Sequence, residues 1–346
     1  MATEDSRSNG PNALNLPEIR LRVFEHLAAH DLLNVALVCK AWSWLAIDTV
    51  WRVKAFRLSC ILAPLVNCTP KALRDCRSLD ELRNSNSKDQ VMPDVRRDFI
   101  TKITRLIVDL SWGVTSAIDV APLADPSGGP IFPNLQSLRH SIDGAEYTEK
   151  ADMERWTPLL PHLVGPRLER LTLLFYDVTE QVVEDNIQSL VGIAPQIHTV
   201  DIVNDMGETL SPDYSALRHV RWLTIGGYIN HQTWKRLASC PRLESISLLE
   251  SHIGRSIETQ PYSVTFQHVK ILSIVHREEG QDIEFTLALL RSTAMPVLQS
   301  LEVKLPTSGG TALEAVRSEL LGFVRRGFLL KEAEINEGMV LFSLGY

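Results

Sequence analysis

Near the start of the printed sequence, apolar residues recur at helical spacing in three short segments. The first predicted helix runs from about Pro17 to Ala28, and its proline suits the first turn because the missing N–H would be unpaired there anyway. The second predicted helix runs from Leu32 to about Cys39 and follows Asp31, a natural N-cap. A third carries Trp42 and has Trp51 at its end.

The second of these helices is apolar almost all round, and only Asn34 interrupts it. A helix that is apolar on every side has to be buried on every side. Two short neighbouring helices cannot cover it, so either the following domain or a separate protein must do so. We therefore expect Leu32 and Leu33 to lie partly exposed in the isolated chain.

Beyond about residue 100, the chain repeats the pattern apolar-x-x-apolar-x-apolar, with first positions about 23 to 33 residues apart. A proline stands two residues before the first apolar position in five of the copies. The strong copies are Ile103/Leu106/Val108, Leu168/Leu171/Leu173, Ile197/Val200/Ile202, Val220/Leu223/Ile225, Leu243/Ile246/Leu248, Val269/Leu272/Ile274 and Leu298/Leu301/Val303, and the weaker ones are Leu135/Leu138/His140 and Leu330/Ala333/Ile335.

Helical patterns fill several of the intervals, at Val178–Ile193, Gln232–Ser239, Ile283–Ser292 and Leu313–Phe328. Alternation of strand and helix at this period is typical of leucine-rich repeats, whose stacked copies share one continuous core. The pattern predicts a degenerate, leucine-rich-repeat-like α/β solenoid with a curved parallel sheet and helices on its convex side. An ordinary α/β domain also alternates strands and helices, and is the alternative.

The same patterns divide the chain into four parts. We expect a disordered polar tail at 1–13, a three-helix module at 14–52, a helical connector followed by a polar linker at 53–98, and the repeat domain at 99–346.

Composition narrows the classes of function. The net charge is −7, and no basic run is longer than a pair, so we expect no nucleic-acid binding. No apolar stretch approaches the roughly 20 residues that span a bilayer, so we expect no membrane insertion. Five cysteines without any C-x-x-C pair suit a reducing compartment, which indicates the cytoplasm, the nucleus or both.

Residues 14–51 resemble the F-box family, in which many positions agree in order and spacing. Family members usually have one residue between the first proline and glutamate, whereas these two are adjacent here. The matching features are Leu16-Pro17-Glu18-Ile19, Val23-Phe24, Leu27, Asp31-Leu32-Leu33, Val38-Cys39-Lys40-x-Trp42 and Trp51.

This resemblance implies an α-helical module that binds the small Skp adaptor, which links it to a cullin–RING ubiquitin ligase. It also implies that the C-terminal repeats select an unknown protein substrate. An F-box-like module with a non-ligase use, such as a repeat scaffold that binds the adaptor alone, is the alternative. By resemblance, the adaptor contacts are Leu16, Pro17, Ile19, Leu32, Leu33, Val38, Cys39, Trp42 and Trp51.

We find no catalytic motif in the sequence, and we expect no catalytic residue, metal or cofactor. His26 and His30 have a spacing that could bind a metal from one helix face, but the His-Glu-x-x-His pattern and a third ligand are missing. Cys240 lies at a repeat junction, where a buried structural cysteine is the favoured interpretation.

Strand alternation predicts where a substrate would bind. If the second and third apolar residues of each copy point into the core, their neighbours must face the other way, onto the concave side. Trp222 is the natural anchor on that face, unless it packs under a neighbouring loop. The substrate-binding residues predicted in this way are Arg139, Arg170, Trp222, Thr224 and Ser247.

Overall fold

The computed structural model describes residues 16–58, 100–109, 130–143, 163–176, 178, 180–204, 214–227, 229, 231–249, 264–275, 289–306, 318, 329–336 and 339–345. Three sequence-based expectations lie wholly or mostly outside these residues: the disordered tail at 1–13, most of the connector and linker at 53–98, and the helix at Leu313–Phe328.

Three short helices open the described chain: α1 (Pro17–Glu25), α2 (Ala29–Val38) and α3 (Lys40–Val53). Pro17 lies in the first turn of α1, as its missing N–H requires. The second helix begins earlier than predicted, because Ala28 and not Asp31 is its N-cap residue. Phe24, Leu32 and Ala46 form the buried core of this module.

The expectation that Leu32 and Leu33 both lie partly exposed is wrong for Leu32. Leu33 is 56% exposed, whereas Leu32 is fully buried. Successive residues of an α-helix point about 100° apart, so neighbouring leucines cannot share one environment. Leu32 faces the core that Phe24 and Ala46 complete, while Leu33 faces outward.

The strands that follow form one large sheet that is parallel over nine strands, which confirms the predicted order of the repeats. Its strands pair in sequence order from β1 to β7, then β9 and β11, and all of these pairs are parallel. The parallel strands are β1 (Phe56–Arg57), β2 (Arg105–Asp109), β3 (Ser137–Asp143), β4 (Arg170–Tyr176), β5 (Thr199–Asn204), β6 (Trp222–Gly226), β7 (Ser245–Leu249), β9 (Ile271–Val275) and β11 (Ser300–Pro306). Beyond β11 the same sheet continues with two antiparallel strands, β13 (Met339–Gly345) and then β12 (Leu329–Asn336). The intervening β8 (Val264–Thr265) and β10 (Thr293–Ala294) pair with each other in a separate ribbon.

Two rows of inward side chains, here called the interior rows, run across β2 to β11 and hold the sheet to the rest of the domain. The register places corresponding residues of neighbouring repeats side by side, and every member is buried. The first row is Leu106, Leu138, Leu171, Val200, Leu223, Ile246, Leu272 and Leu301, and the second is Val108, His140, Leu173, Ile202, Ile225, Leu248, Ile274 and Val303.

Two helices cover this core where the sequence predicts them: α4 (Glu180–Ile193) and α5 (His231–Ala238). Trp234 of α5 is buried, and its indole N–H donates to the Thr293 hydroxyl at 2.9 Å. Of the helix predicted at Ile283–Ser292, only the helical residues 289–292 are described. None of the helices among the described residues has the length and apolar character that crossing a membrane requires.

Two segments depart from the sequence-based prediction. The helical connector predicted from residue 53 contains strand β1 at Phe56–Arg57 instead, because its backbone pairs with Leu106 and Ile107 of β2. The last weak repeat, Leu330/Ala333/Ile335, lies in β12 (Leu329–Asn336), which pairs antiparallel with β13 (Met339–Gly345). Two residues separate these strands, and so short a connection allows only a hairpin, since parallel pairing needs a crossover of about a dozen residues.

His140 leads to a prediction about pH. It is the one polar side chain in the interior rows, between Val108 and Leu173, and burial lowers its pKa from 6.5 to about 4, against a backbone hydrogen bond at Val108 that raises it. His140 therefore binds a proton near pH 6.5 in the unfolded chain but only near pH 4 in the folded chain. Stability should fall by up to about 3 kcal/mol as pH drops through this window.

We expect His140→Leu to remove most of this acid sensitivity, because leucine-like residues already fill the neighbouring positions of the row. The difference between the free energies of unfolding at pH 7.5 and at pH 5, from urea unfolding, measures this acid sensitivity. Exposed His219 provides the matched control, and His219→Leu should leave the difference between the two pH values unchanged. An acid sensitivity that survives His140→Leu would contradict the assignment.

Candidate protein-binding surfaces

The three-helix module leaves several large apolar side chains exposed. Leu37 is the most exposed at 85%, and Val38, Trp44 and Leu33 are each more than half exposed. Large exposed apolar side chains, where they form a patch, are typical of protein-binding sites in soluble domains. Within the described residues, the sheet does not cover Leu33, Leu37 and Val38 of the second helix.

The predicted adaptor contacts fall into three environments. Trp42 is half-buried and lies edge-on to Phe24, with ring centroids 6.0 Å apart. Trp51 is also half-buried, and Leu32 is fully buried. The remaining predicted contacts are exposed: Leu16, Pro17, Ile19, Leu33, Val38 and Cys39.

Sequence reasoning missed Leu37 and Trp44, two of the most exposed apolar side chains. A signal for both was present. Leu37 belongs to the all-apolar second helix, and Trp44 stands two positions after Trp42, which places it on the opposite side of the third helix. The predicted adaptor contacts include Trp42, which faces the core, but not Trp44.

The C-terminal end of α3 connects the helical module to the sheet through stacked rings. Trp51 and Phe56 lie 4.5 Å apart between centroids with an interplanar angle of 12°, and both pack against the core of the repeat domain. Leu58 is a buried member of that core. The module therefore shares apolar packing with the first strands of the sheet.

Polar contacts strengthen the same connection between α3 and the sheet, here called the joint. Lys102 Nζ donates to Asp48 Oδ1 at 2.8 Å, and Asp48 also pairs with Arg52 at 2.7 Å. The Thr104 hydroxyl donates to the Arg52 carbonyl oxygen at 2.5 Å. These bonds join α3 to the residues just before β2, so the helical module and the repeat sheet are in direct contact.

The face of the sheet opposite the interior rows carries three outer rows. The register brings mixed polar residues together in the first two rows. The first outer row is Arg105, Ser137, Arg170, Thr199, Trp222, Ser245, Ile271 and Ser300, and the middle outer row is Ile107, Arg139, Thr172, Asp201, Thr224, Ser247, Ser273 and Glu302.

The predicted substrate residues all lie on this outer face, but not in one cluster. Thr224 and Ser247 are register neighbours, and Trp222 shares a strand with Thr224. Arg170 lies two strands from Trp222, a separation of about 10 Å at the usual strand spacing. Arg139 lies one strand beyond Arg170. The structure thus groups Trp222, Thr224 and Ser247, and places the two arginines to one side.

Trp222 is 40% exposed, and its ring meets the edge of His198 at a centroid distance of 5.2 Å. A neighbouring loop that could cover this indole includes Tyr228, which lies outside the described residues. Among the described residues the indole therefore presents a large accessible surface near the middle of the sheet.

Polar side chains on the middle outer row bond to one another across strands. The Thr172 hydroxyl donates to Asp201 at 3.2 Å, and the Ser273 hydroxyl donates to Glu302 at 2.8 Å. Partial burial raises the pKa of Glu302, but hydrogen bonds from Lys304 and Ser273 and the charge of Lys304 outweigh it, so this pKa lies below its usual value. Glu302 therefore stays ionised at neutral pH.

A third outer row was missed by sequence reasoning, and much of it is apolar. Leu174 is nearly buried, while Val203, Leu249 and Val275 are half-buried. Gly226 lies between Val203 and Leu249, and a Cβ there would meet a Val203 methyl at 3.2 Å. The signal was an apolar residue directly after the third position of several repeats, which breaks the alternation of a half-exposed strand.

The histidines and the cysteine considered as chemical sites lie on different elements. His26 follows α1 and His30 lies in the first turn of α2, so they do not share one helix face, and His30 pairs with Asp31 at 3.1 Å. Cys240 is buried in the repeat core. In the part of the chain that the structure describes, no group of three or more potential ligands has the geometry for a metal ion.

Comparison with known families gives one match: residues 15–57 match the F-box-like family model. The matched range contains α1 to α3, with their exposed apolar side chains and the Trp51–Phe56 stack. A comparison of the chain with curated proteins found no match.

The joint predicts different roles for two tryptophans of α3. Trp51→Ala should lower the free energy of unfolding by about 2–4 kcal/mol, since it removes a stacked, half-buried ring. Trp44→Ala is the matched control and should cost less than about 1 kcal/mol, because this indole is mostly exposed. Urea unfolding measures both, and equal losses would show that Trp51 does not hold the joint.

Proposed function

We propose that this F-box protein is the substrate-recognition subunit of a cullin–RING (SCF-type) ubiquitin ligase. The helical module binds the Skp adaptor, and the outer face of the sheet binds a protein target. The observation that carries the proposal is the exposed apolar surface of α2 inside the family match, above all Leu33, Leu37 and Val38. On this proposal the chain works in the cytoplasm or the nucleus.

Adaptor binding follows from the energetics of that surface. Burying a leucine side chain fully contributes roughly 1.5–3 kcal/mol, so three such residues supply enough for a stable complex. Leu32 contributes indirectly, because its burial against Phe24 and Ala46 sets how α2 presents the exposed residues. Cys39 and Val38, both exposed where α2 ends, extend the same surface.

The contribution of the chain to ubiquitin transfer is positioning. F-box proteins are generally non-catalytic, and we propose the same here: the chain holds a target near a ubiquitin-charged enzyme bound elsewhere, which raises its effective concentration. The joint formed by Trp51, Phe56 and Asp48 supports this role, because it fixes the adaptor-binding helices to the first strands of the target-binding sheet.

Target recognition is assigned to the outer face. Its mixture of arginines, hydroxyls and one exposed tryptophan suits a protein surface, since interface energy concentrates in tryptophan, tyrosine and arginine. We place Trp222 at the centre, with Thr224 and Ser247 beside it and Arg139 and Arg170 toward the F-box end of the sheet. On this proposal, residues 14–52 bind the adaptor and 99–346 bind the target, with 53–98 connecting them.

The deciding experiment is reconstitution of the ligase. The intact chain should capture a partner from cells and support its ubiquitination with Skp adaptor, cullin and RING protein, and the chain lacking residues 14–52 should capture the same partner without supporting ubiquitination. Adaptor binding without ubiquitination of any captured partner would favour the non-ligase scaffold.

Exposed residues of α2 should control adaptor affinity. Leu33→Ala combined with Val38→Ala should weaken adaptor binding about ten- to a hundredfold, with little change in the melting temperature, because both side chains are already exposed to solvent. Isothermal titration calorimetry with purified adaptor measures this. Ile271→Ala removes an exposed apolar side chain from the outer face and should leave adaptor affinity unchanged. Unaltered affinity in the double variant would sink the assignment.

Trp222 should control target capture. Trp222→Ala should weaken capture about thirtyfold, equivalent to about 2 kcal/mol on the usual hot-spot scale, while adaptor affinity stays unchanged. Thr199→Ala, one strand away in the same row, is the control. If Trp222→Ala unfolds the chain, or binds partners as before, the indole is structural and recognition lies elsewhere.

A further inference from the structure

The edge of the sheet at which the strands begin carries a groove of about 350 Å³, separate from the outer face. It lies between the turns that precede β7, β9 and β11. Its main lining residues are Arg221, Arg242, Glu244, His268, Lys270 and Val297.

The parallel ladder explains why these residues meet although they are distant in sequence. The Glu244 N–H donates to the Arg221 carbonyl oxygen at 2.9 Å, and the Lys270 N–H donates to the Glu244 carbonyl oxygen at 2.7 Å. One pre-strand residue from each of three repeats is therefore stacked in register. The turn residues Arg242 and His268 stand two positions before them and form the outer lip of the groove.

Positive charge exceeds negative charge in this groove. Glu244 pairs with Lys270 at 3.0 Å and lies 3.9 Å from Arg221. The hydrogen bond from Lys270 holds the pKa of Glu244 below its usual value, so the carboxylate is ionised at neutral pH. Three permanent cations thus face one carboxylate, in a chain whose net charge is −7.

Arg242 is the cation of the groove that is most available to pair with a ligand. It is exposed, and within the described ranges it makes no ion pair, whereas Arg221 and Lys270 share Glu244. Val297, 39% exposed, adds an apolar wall on the other side of the groove. A ligand that carries negative groups beside an apolar group would complement both features.

We propose that this groove binds an acidic peptide segment of a protein partner, with carboxylates on Arg242 and Lys270 and an apolar side chain against Val297. A polyanion such as nucleic acid fits less well, because Glu244 lies among the cations and the whole chain is acidic. The proposal goes beyond the proposed function, since it concerns the strand-starting edge and not the outer face.

The test uses the full chain and a fluorescein-labelled pentapeptide with one leucine flanked by two glutamates on each side, followed by fluorescence anisotropy. Arg242→Glu should weaken binding about tenfold or more, because it places a carboxylate where the peptide's charge would lie. Glu244→Gln should strengthen binding several-fold, because it releases Lys270 and Arg221. Binding should also weaken as salt is raised.

Arg167→Glu is the matched control. It makes the same change in net charge at the corresponding turn before β4, three strands from β7 in the sheet order, and should alter affinity less than about twofold. His268→Glu replaces Arg242→Glu if that variant does not fold.

Three outcomes would overturn the proposal: equal effects of the Arg242 and Arg167 variants, equally tight binding of a peptide with glutamines in place of glutamates, or tighter binding of a ten-residue thymidine oligonucleotide than of the acidic peptide. Loss of binding confined to the groove variants supports it. Peptide binding does not depend on ubiquitin transfer, so this result and the fate of the ligase proposal are independent.

Discussion

The rest of the structure depends on one constraint: a single repeat cannot bury its own inward side chains. Each strand of the array supplies two side chains to the interior rows, and these are covered only when strands on both sides bring the equivalent residues into register. The parallel ladders from β2 to β11 satisfy this requirement with leucine, isoleucine and valine at all interior positions but one. The exception is His140, whose pKa is lowered by its burial.

This constraint also determines where binding surfaces can lie. Side chains used by the interior rows are unavailable to partners, and alternation along each strand turns the intervening residues outward. The outer face is therefore variable in chemistry, with Trp222 and the arginines beside short hydroxyl side chains. At the strand-starting edge the same register stacks Arg221, Glu244 and Lys270, which creates a charged groove that no single repeat contains.

The helical module is stabilised differently from the sheet, because its own core is small. Its buried hydrophobic cluster consists of Phe24, Leu32 and Ala46, and several equally apolar residues stay exposed. It packs on the sheet through Trp51 and Phe56 beside buried Leu58, while Leu33, Leu37 and Val38 stay exposed. The contacts with the sheet are thus made by the C-terminal end of α3, whereas the most exposed apolar side chain of the module lies on α2.

The sequence by itself determined the features that depend on local periodicity. These are three short helices, an array of short strands with helices between them, and the side of each strand that faces inward, since a period of 3.6 or 2 residues needs no knowledge of distant contacts. Only the tertiary structure decided which of Leu32 and Leu33 is buried, why Phe56–Arg57 is a strand, and why the last repeat is a hairpin. It alone also assembled the groove at Arg242 and the apolar third outer row. The physical reason is that burial, strand pairing and local charge depend on which elements pack together, which local periodicity does not specify. For the groove and the outer rows, the register that brings distant residues together arises when the repeats stack.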